Sequence, residues 1–278
     1  MDALLLKRHV DARAHHADAR RLETLLDRII PHPALHARFV NTLARLEYVG
    51  VRKMLKSRRA DRLDLDGLQH LLDEAVHALR LKKAAAALAA AGGAAVTTFS
   101  DADTLAGDAG EAYFQALDRR AEMALAADTD GGLREAKSCE AKSSEAKSSE
   151  AKSSEAESRE AESSDGARAE ANYLLTSAAI EVRAQAFYPV YEQRLRAHGA
   201  PFSVAAITKD EDRHLQEMSE RLQALLGPAP RGLAGVLAEE EALYGRFLAE
   251  LAAAVETTEQ TTEQTTEHTT VARAERVA

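Results

Sequence analysis

Two short stretches of the chain repeat one arrangement of acidic and imidazole side chains, Asp-Glu-x-x-His. They are Asp73-Glu74-Ala75-Val76-His77 and Asp210-Glu211-Asp212-Arg213-His214. On a helix, a Glu and a His three residues apart project from the same face, one turn from each other. A carboxylate oxygen and an imidazole nitrogen so placed can bind one metal ion together. One such pair is weak evidence, but two pairs on two predicted helices indicate a common metal site.

Each repeated stretch is preceded, one helix upstream, by a further candidate ligand. Glu47 comes before the first stretch and Glu181 before the second. A metal site inside a four-helix bundle takes one Glu from each of two helices and a Glu-x-x-His from each of the other two. The candidate metal ligands, in chain order, are Glu47, Glu74, His77, Glu181, Glu211 and His214.

This ordered set resembles the ferritin-like di-iron carboxylate superfamily. The second stretch also resembles the Asp-Glu-x-Arg-His signature of its oxygenase and oxidase branch. The resemblance covers roughly residues 33–226. It implies an all-α fold, a ferritin-like four-helix bundle, and two bound Fe ions, or one Mn and one Fe.

The resemblance also implies roles for three residues around the ligands. Asp73 would accept a hydrogen bond from a ligand His of the other helix pair, which fixes the imidazole tautomer. Arg213 would pair with Asp210. Because Asp73 cannot share a helix face with Glu74, it is free to point towards a neighbouring helix.

The function implied is that of an oxidoreductase, which activates dioxygen to oxidise or hydroxylate a small organic substrate. Electrons would come from an external donor. A ferroxidase or another iron-handling ferritin-like protein is the alternative, although storage ferritins usually carry Glu-x-x-His in one half only. A metal-free helical scaffold that binds partners is the second alternative. Neither composition nor charge identifies the substrate.

Several polar residues near the motifs have a structural and a functional interpretation. Glu192 competes with Glu181, but its neighbours are polar whereas those of Glu181 are apolar, so we favour Glu181. Glu47 is either a ligand or a helix-edge acid paired with Arg45 or Arg52. The sequence interpretations that we favour for three other residues are a helix-start histidine for His36, an ordinary polar residue for His70 and a core tyrosine for Tyr188.

The helices that must position these residues follow from apolar periodicity and from Gly and Pro breaks. The third helix holds Leu68, Leu71, Leu72 and Leu79, with Glu74 and His77 among them, and Asp66 is its predicted N-cap. The predicted helices are 12–30, 34–59, 66–91, 108–127 as the crossover, 169–198, 203–226 and 232–255.

A low-complexity segment separates the two halves of the predicted bundle. From Glu135 the chain repeats every five residues, as in EAKSS, and carries no large apolar side chain that could be buried. We therefore expect the first half of the bundle in 1–130, a disordered insertion in 131–168, the second half with extra helices in 169–256, and a disordered tail in 257–278. Extra helices flank the bundle at both ends.

Composition limits the other classes of protein. The chain has 278 residues, a net charge of -9 and one cysteine, Cys139. This charge does not suggest nucleic-acid binding, and one cysteine excludes an internal disulfide and a Cys-rich metal centre. With no apolar run long enough for a signal peptide or a membrane span, we expect a cytoplasmic protein. A homodimer is left open.

Overall fold

The computed structural model describes residues 3–57, 63–139, 150–227, 230 and 232–275, and within these ranges the chain is all-α, with eight helices. The helices are α1 (Ala3–Ala14), α2 (Ala17–Ile29), α3 (Pro33–Ser57), α4 (Leu65–Ala91), α5 (Gly107–Cys139), α6 (Glu150–Ala197), α7 (Ala205–Leu226) and α8 (Leu233–Glu275). None of these helices is long and apolar enough to cross a membrane.

The four helices that carry the motifs form two hairpins. Helix α3 packs along α4, and α6 packs along α7. Contacts of α4 with α7 and of α3 with α6 bring the two hairpins together, while α5 connects them and packs on α6 and α8. This arrangement is compatible with a four-helix bundle that carries extra helices.

A continuous apolar core holds the hairpins together. Its largest fully buried side chains include Phe39, Leu175, Tyr173 and Tyr191. Burying a side chain of this size contributes about 1.5–3 kcal/mol. Because these residues come from both α3 and α6, the core fixes the two hairpins relative to each other.

The predicted first helix, 12–30, is wrong, since two helices occupy this part of the chain. Helix α1 ends at Ala14 and α2 begins at Ala17. Between them, His16 has an extended backbone and its side chain accepts a hydrogen bond from the Asp18 N–H. A side chain that satisfies a free N–H at a helix start is an N-cap, and here it separates two helices that periodicity alone joins.

Helix α4 differs from its prediction in its cap. Asp64, rather than Asp66, is the N-cap and accepts a hydrogen bond from the Gly67 N–H. Leu68, Leu72 and Leu79, which flank Glu74 and His77 in the sequence, are 48%, 55% and 53% exposed.

The exposed leucines have a geometric reason. With 3.6 residues per turn they lie opposite His70, Glu74 and His77, so only one of the two sets can face the bundle. The polar set is the buried one.

Three helices are longer than predicted and enter the low-complexity segments. Helix α5 continues to Cys139, α6 begins at Glu150, and α8 continues to Glu275. Ala, Glu, Lys and Gln favour helices, so these sequences do not oppose the extension. Near Val255, α8 keeps contacts with α2, where Arg28 pairs with Glu259 at 2.5 Å. Residues 140–149 and 276–278 lie outside the described ranges, and disorder in 131–168 and 257–278 stays a prediction.

Candidate metal centre

The fold brings all six predicted ligands together and adds a seventh residue, His70. They form two groups, His70, Glu74, Glu181 and His214, and Glu47, Glu74, His77 and Glu211. In each group, one nitrogen or oxygen atom per residue lies within 4.8 Å of the others. We call them the His70 group and the Glu47 group. Both are clusters of His and Glu that can hold a metal ion.

The His70 group joins α4, α6 and α7. Nε2 of His70 lies 3.4 Å from an oxygen of Glu74 and 3.4 Å from an oxygen of Glu181. Nδ1 of His214 lies 3.3 Å from the same Glu74 oxygen and 3.8 Å from the same Glu181 oxygen. The two imidazole rings stack, with their centroids 3.9 Å apart. Two nitrogens and two oxygens therefore face a common point.

The Glu47 group joins α3, α4 and α7. Nδ1 of His77 lies 3.3 Å from Oε1 of Glu211 and 3.9 Å from Oε2 of Glu47. Glu47 also accepts a hydrogen bond from the Tyr188 hydroxyl. Its predicted alternative partners are engaged elsewhere, since Arg45 and Arg52 both contact Glu111.

Two carboxylates connect the groups. Glu74 belongs to both of them. Glu211 turns Oε1 towards His77 and Oε2 towards His214, each at 3.3 Å. Carboxylates with one oxygen on each side can bridge two metal ions that share a cavity.

Each of the two predicted histidines, His77 and His214, contacts an aspartate of the other hairpin. Asp210 of α7 lies 3.2 Å from Nε2 of His77 on α4, and Asp73 of α4 lies 3.4 Å from Nε2 of His214 on α7. When the ring is neutral, an aspartate that accepts a hydrogen bond from Nε2–H leaves Nδ1 as the unprotonated nitrogen, which faces the cluster. Arg213 forms the predicted ion pair with Asp210, at 3.7 Å, and it also contacts Asp73, more closely. Arg213 projects between the two acids, so packing rather than sequence spacing selects its partner.

Burial and crowding of carboxylates set the protonation of the cluster. Burial raises the pKa of Glu47 well above its usual range, and the neighbouring Glu74 and Glu211 raise it further. Burial likewise raises the pKa of Glu181, with Glu211 adding to the effect. The carboxyl groups of Glu47 and Glu181 would therefore each hold a proton in the metal-free protein.

The histidines have the opposite effect on Glu74. Burial by itself would raise the pKa of Glu74, but hydrogen bonds from His214 and His70 outweigh burial and lower this pKa to about 2. Burial would lower the pKa of His214, yet Glu211 and Glu74 raise it to about 10. In the metal-free protein, bound protons therefore offset the negative charge of the four carboxylates. Divalent cations can offset the same charge when they bind and displace those protons.

The donor set passes a test of fit to a pair of metal ions. Nδ1 of His77 and Oε2 of Glu181 are buried and have no hydrogen-bond partner among the residues that the structure describes. Leaving buried polar atoms unpaired costs on the order of 1–3 kcal/mol each. A cation in the Glu47 group would lie beside His77 and one in the His70 group beside Glu181, and mixed imidazole and carboxylate ligands suit iron and manganese.

Sequence reasoning placed Glu181 correctly relative to Glu192 but underrated His70. Glu192 lies away from both groups, where it accepts hydrogen bonds from the Val204 N–H, Ser203 and Arg196. His70 was interpreted as an ordinary polar residue, although it lies one turn before Glu74. The spacing of residues 70, 74 and 77 on one helix face was the signal that could have identified it.

Two further residues do more than their sequence interpretation says. His36 lies in the first turn of α3, as predicted, but it is also a buried core residue, with Nε2 2.7 Å from the Tyr191 hydroxyl. Tyr188 is not only a core tyrosine, because its hydroxyl donates to Glu47 at the edge of the cluster.

A cavity of about 110 Å³ adjoins the cluster. Glu47, Glu74, Glu181 and Glu211 line one side of it, and aromatic and aliphatic side chains of α3, α5, α6 and α8 line the rest. A small molecule in this space would therefore lie directly beside the candidate ligands.

Comparisons with known proteins add no identification, since no family model, no curated protein and no solved structure matches this chain.

Proposed function

We propose that this chain is a ferritin-like di-iron, or manganese–iron, carboxylate oxidoreductase that activates dioxygen to oxidise or hydroxylate a small organic substrate. The single observation that carries the proposal is the pair of His and Glu groups that share Glu74. Two adjoining sites with a common carboxylate, each built from residues of both hairpins, are what a di-nuclear centre requires.

The ligand set balances the charge of two divalent ions. Glu47, Glu74, Glu181 and Glu211 supply four negative charges when ionised, and His70, His77 and His214 are neutral ligands. Iron and manganese accept such oxygen and nitrogen donors. When bound, the metal pair would supply the redox chemistry by which dioxygen is reduced.

The protein residues around the ligands would orient them and hold protons. Asp73 and Asp210 keep Nδ1 of His214 and His77 directed at the cluster, because each accepts from the opposite ring nitrogen. The Tyr188 hydroxyl donates a hydrogen bond to Glu47 and so holds that carboxylate in place, while the proton stays on the Tyr188 oxygen. Burial raises the pKa of Tyr188 well above its ordinary value, so its proton stays on the oxygen at neutral pH.

The overall reaction needs an outside source of electrons. In a hydroxylation, one oxygen atom of dioxygen enters a C–H bond of the substrate, and the other leaves as water after uptake of two electrons and two protons. The described residues include no group of cysteines that could hold an iron–sulfur cluster. The electron donor would therefore be a separate reductase.

The apolar cavity supports an organic substrate over iron as the substrate. In a ferroxidase, hydrated iron ions must approach the centre, which favours a polar path. The walls of this cavity beyond the carboxylates are mainly apolar side chains. A ferritin-type iron store is accordingly the weaker alternative.

The experiment that tests the proposed function begins with the metal-free chain loaded anaerobically with ferrous iron. We expect dioxygen, added with a chemical reductant, to be consumed by the loaded protein and not by the Glu74→Ala variant. Iron binding without any protein-dependent dioxygen consumption would contradict an oxidoreductase. Oxidised iron that accumulates in proportion to the iron supplied would favour the ferroxidase alternative.

A further inference from the structure

The cavity beside the cluster carries information about what the centre acts on. Its walls combine aliphatic and aromatic side chains from both hairpins and from the helices that flank them. They include Leu43, Leu46, Met54, Ile180, Ala184 and Phe187. Besides the carboxylates and His70, the cavity is lined mainly by aliphatic and aromatic side chains, so a molecule in it would contact mostly apolar surface.

The charged side chains that reach the cavity are already paired. Arg183 donates to Glu240 at 2.8 Å and lies over the Tyr244 ring, at 3.8 Å from its centroid. Tyr113 donates to the same Glu240 at 2.8 Å. Lys53 pairs with Asp118. Since these groups satisfy one another, a ligand would gain little by offering them a charge, and breaking the pairs would cost desolvation energy.

The size of the cavity limits what fits. An apolar cavity of about 150 Å³ in another protein stays dry and binds benzene. A cavity of about 110 Å³ is somewhat smaller, so it suits one small ring or a short alkyl chain. Larger parts of a ligand would have to remain outside.

An opening on the α5 side offers room for those larger parts. Lys53 and Phe114 line both the cavity and a wider groove formed by α3, α5 and α6. Asp118 holds Lys53 there and accepts a hydrogen bond from Asn172 at 2.9 Å. This small polar set lies between the apolar cavity and the groove, where a ligand could enter.

We propose that the cavity binds the reacting part of a neutral organic substrate as a small ring or short alkyl chain, admitted past Lys53 and Phe114. The word substrate rests on the proposed function, whereas the binding of an apolar ring or chain does not require the metal. The driving force is burial of apolar surface, at roughly 25 cal/mol per Å².

The test uses toluene as the probe and the full-length, metal-free protein. We expect saturable binding of one toluene per chain by ligand-detected NMR, and a rise in melting temperature with toluene concentration. Replacing Ala184 by Phe would fill the cavity and weaken toluene binding at least about tenfold. Ala86→Phe is the matched control, because Ala86 is an exposed helical alanine away from the cavity, and it should leave binding unchanged.

Two additional variants keep the test decisive if Ala184→Phe does not fold. Ala184→Leu fills less space and should still weaken toluene binding. Leu46→Ala enlarges the cavity and should admit naphthalene, which the unaltered chain should bind poorly. Absence of saturable toluene binding, or equal binding by all four variants, would overturn the proposal.

The outcomes separate this inference from the proposed function. Iron binding and dioxygen consumption without toluene binding would leave the oxidoreductase in place and remove the apolar cavity as the substrate site. Toluene binding by a chain that takes up no iron would keep the cavity and remove the oxidoreductase.

Discussion

Oδ2 of Asp73 lies 3.4 Å from Nε2 of His214, across the boundary between the two helical hairpins. A matching contact crosses the same boundary, from Asp210 of the second hairpin to His77 of the first. Each hairpin thus orients a histidine of the other. Packing of the two hairpins and the geometry of the candidate metal ligands are therefore coupled, because each of these histidines contacts an aspartate of the other hairpin.

This relationship predicts the effect of Asp73→Asn. The amide cannot accept the Nε2 proton as strongly, so His214 would lose part of its orientation and basicity. We expect metal affinity to fall about 10–100-fold with little change in helicity. Metal titration followed by circular dichroism checks this result. Asp212→Asn, at an exposed position of the same motif, is the control and should bind metal like the unaltered chain.

His36 predicts a pH dependence of stability. Burial lowers its pKa from 6.5 to about 4, and the nearby charge of His198 contributes in the same direction. The unfolded chain therefore binds the proton more tightly, and stability falls as the pH drops from about 6.5 to 4. The loss would be on the order of 3 kcal/mol.

Urea unfolding of the metal-free protein and of His36→Gln at several pH values measures this contribution. The difference between their unfolding free energies should shrink or change sign as the pH falls from 7 to 4. A difference that does not vary with pH would show that His36 titrates normally in the folded chain.

The buried face of α4 can be tested with two leucines on opposite sides. Leu81 is buried and Leu72 is exposed. We expect Leu81→Ala to lower the free energy of unfolding by about 2–5 kcal/mol and Leu72→Ala by less than about 1 kcal/mol. Thermal and urea unfolding distinguish the two. A larger loss at Leu72 would mean that this face is covered.

Glu192 is predicted to matter for stability and not for metal binding. Burial would raise its pKa, but hydrogen bonds from the Val204 N–H, Ser203 and Arg196 outweigh burial and lower it. Its stabilising effect is thus present above its ordinary pKa of 4.5 and is lost as the pH falls below it. Glu192→Gln should lower stability at pH 7, lower it less near pH 3, and keep the metal content unchanged.

The sequence predicted the residues that cluster better than it predicted their surroundings. Glu47, Glu74 and Glu181 follow from helix periodicity and from one recurring motif, both of which are local. His70 lies outside the repeated motif, and on α4 it is His70 that is buried while its neighbours Leu68 and Leu72 are exposed. The inward face of this helix is selected by polar partners on α3, α6 and α7, which lie far away in the sequence.

Other differences have the same origin in packing or capping. Arg213 contacts Asp73, which lies on the opposite hairpin, so no spacing within α7 could have selected that partner. The break between α1 and α2 depends on the His16 side chain as a cap, which apolar periodicity does not register. The crossover repeat has no large apolar side chains, so the sequence contained no packing signal for the helices α5 and α6 that extend into it.

The most direct test of the central claim is the iron content of three forms of the chain after anaerobic reconstitution. Glu74 belongs to both groups, whereas Glu181 belongs to the His70 group alone. We predict about two iron ions per chain for the unaltered protein, about one for Glu181→Ala and none bound tightly for Glu74→Ala. All three should show the same circular dichroism. A single ion in the unaltered protein, or equal iron content in all three forms, would contradict a di-nuclear centre that shares Glu74.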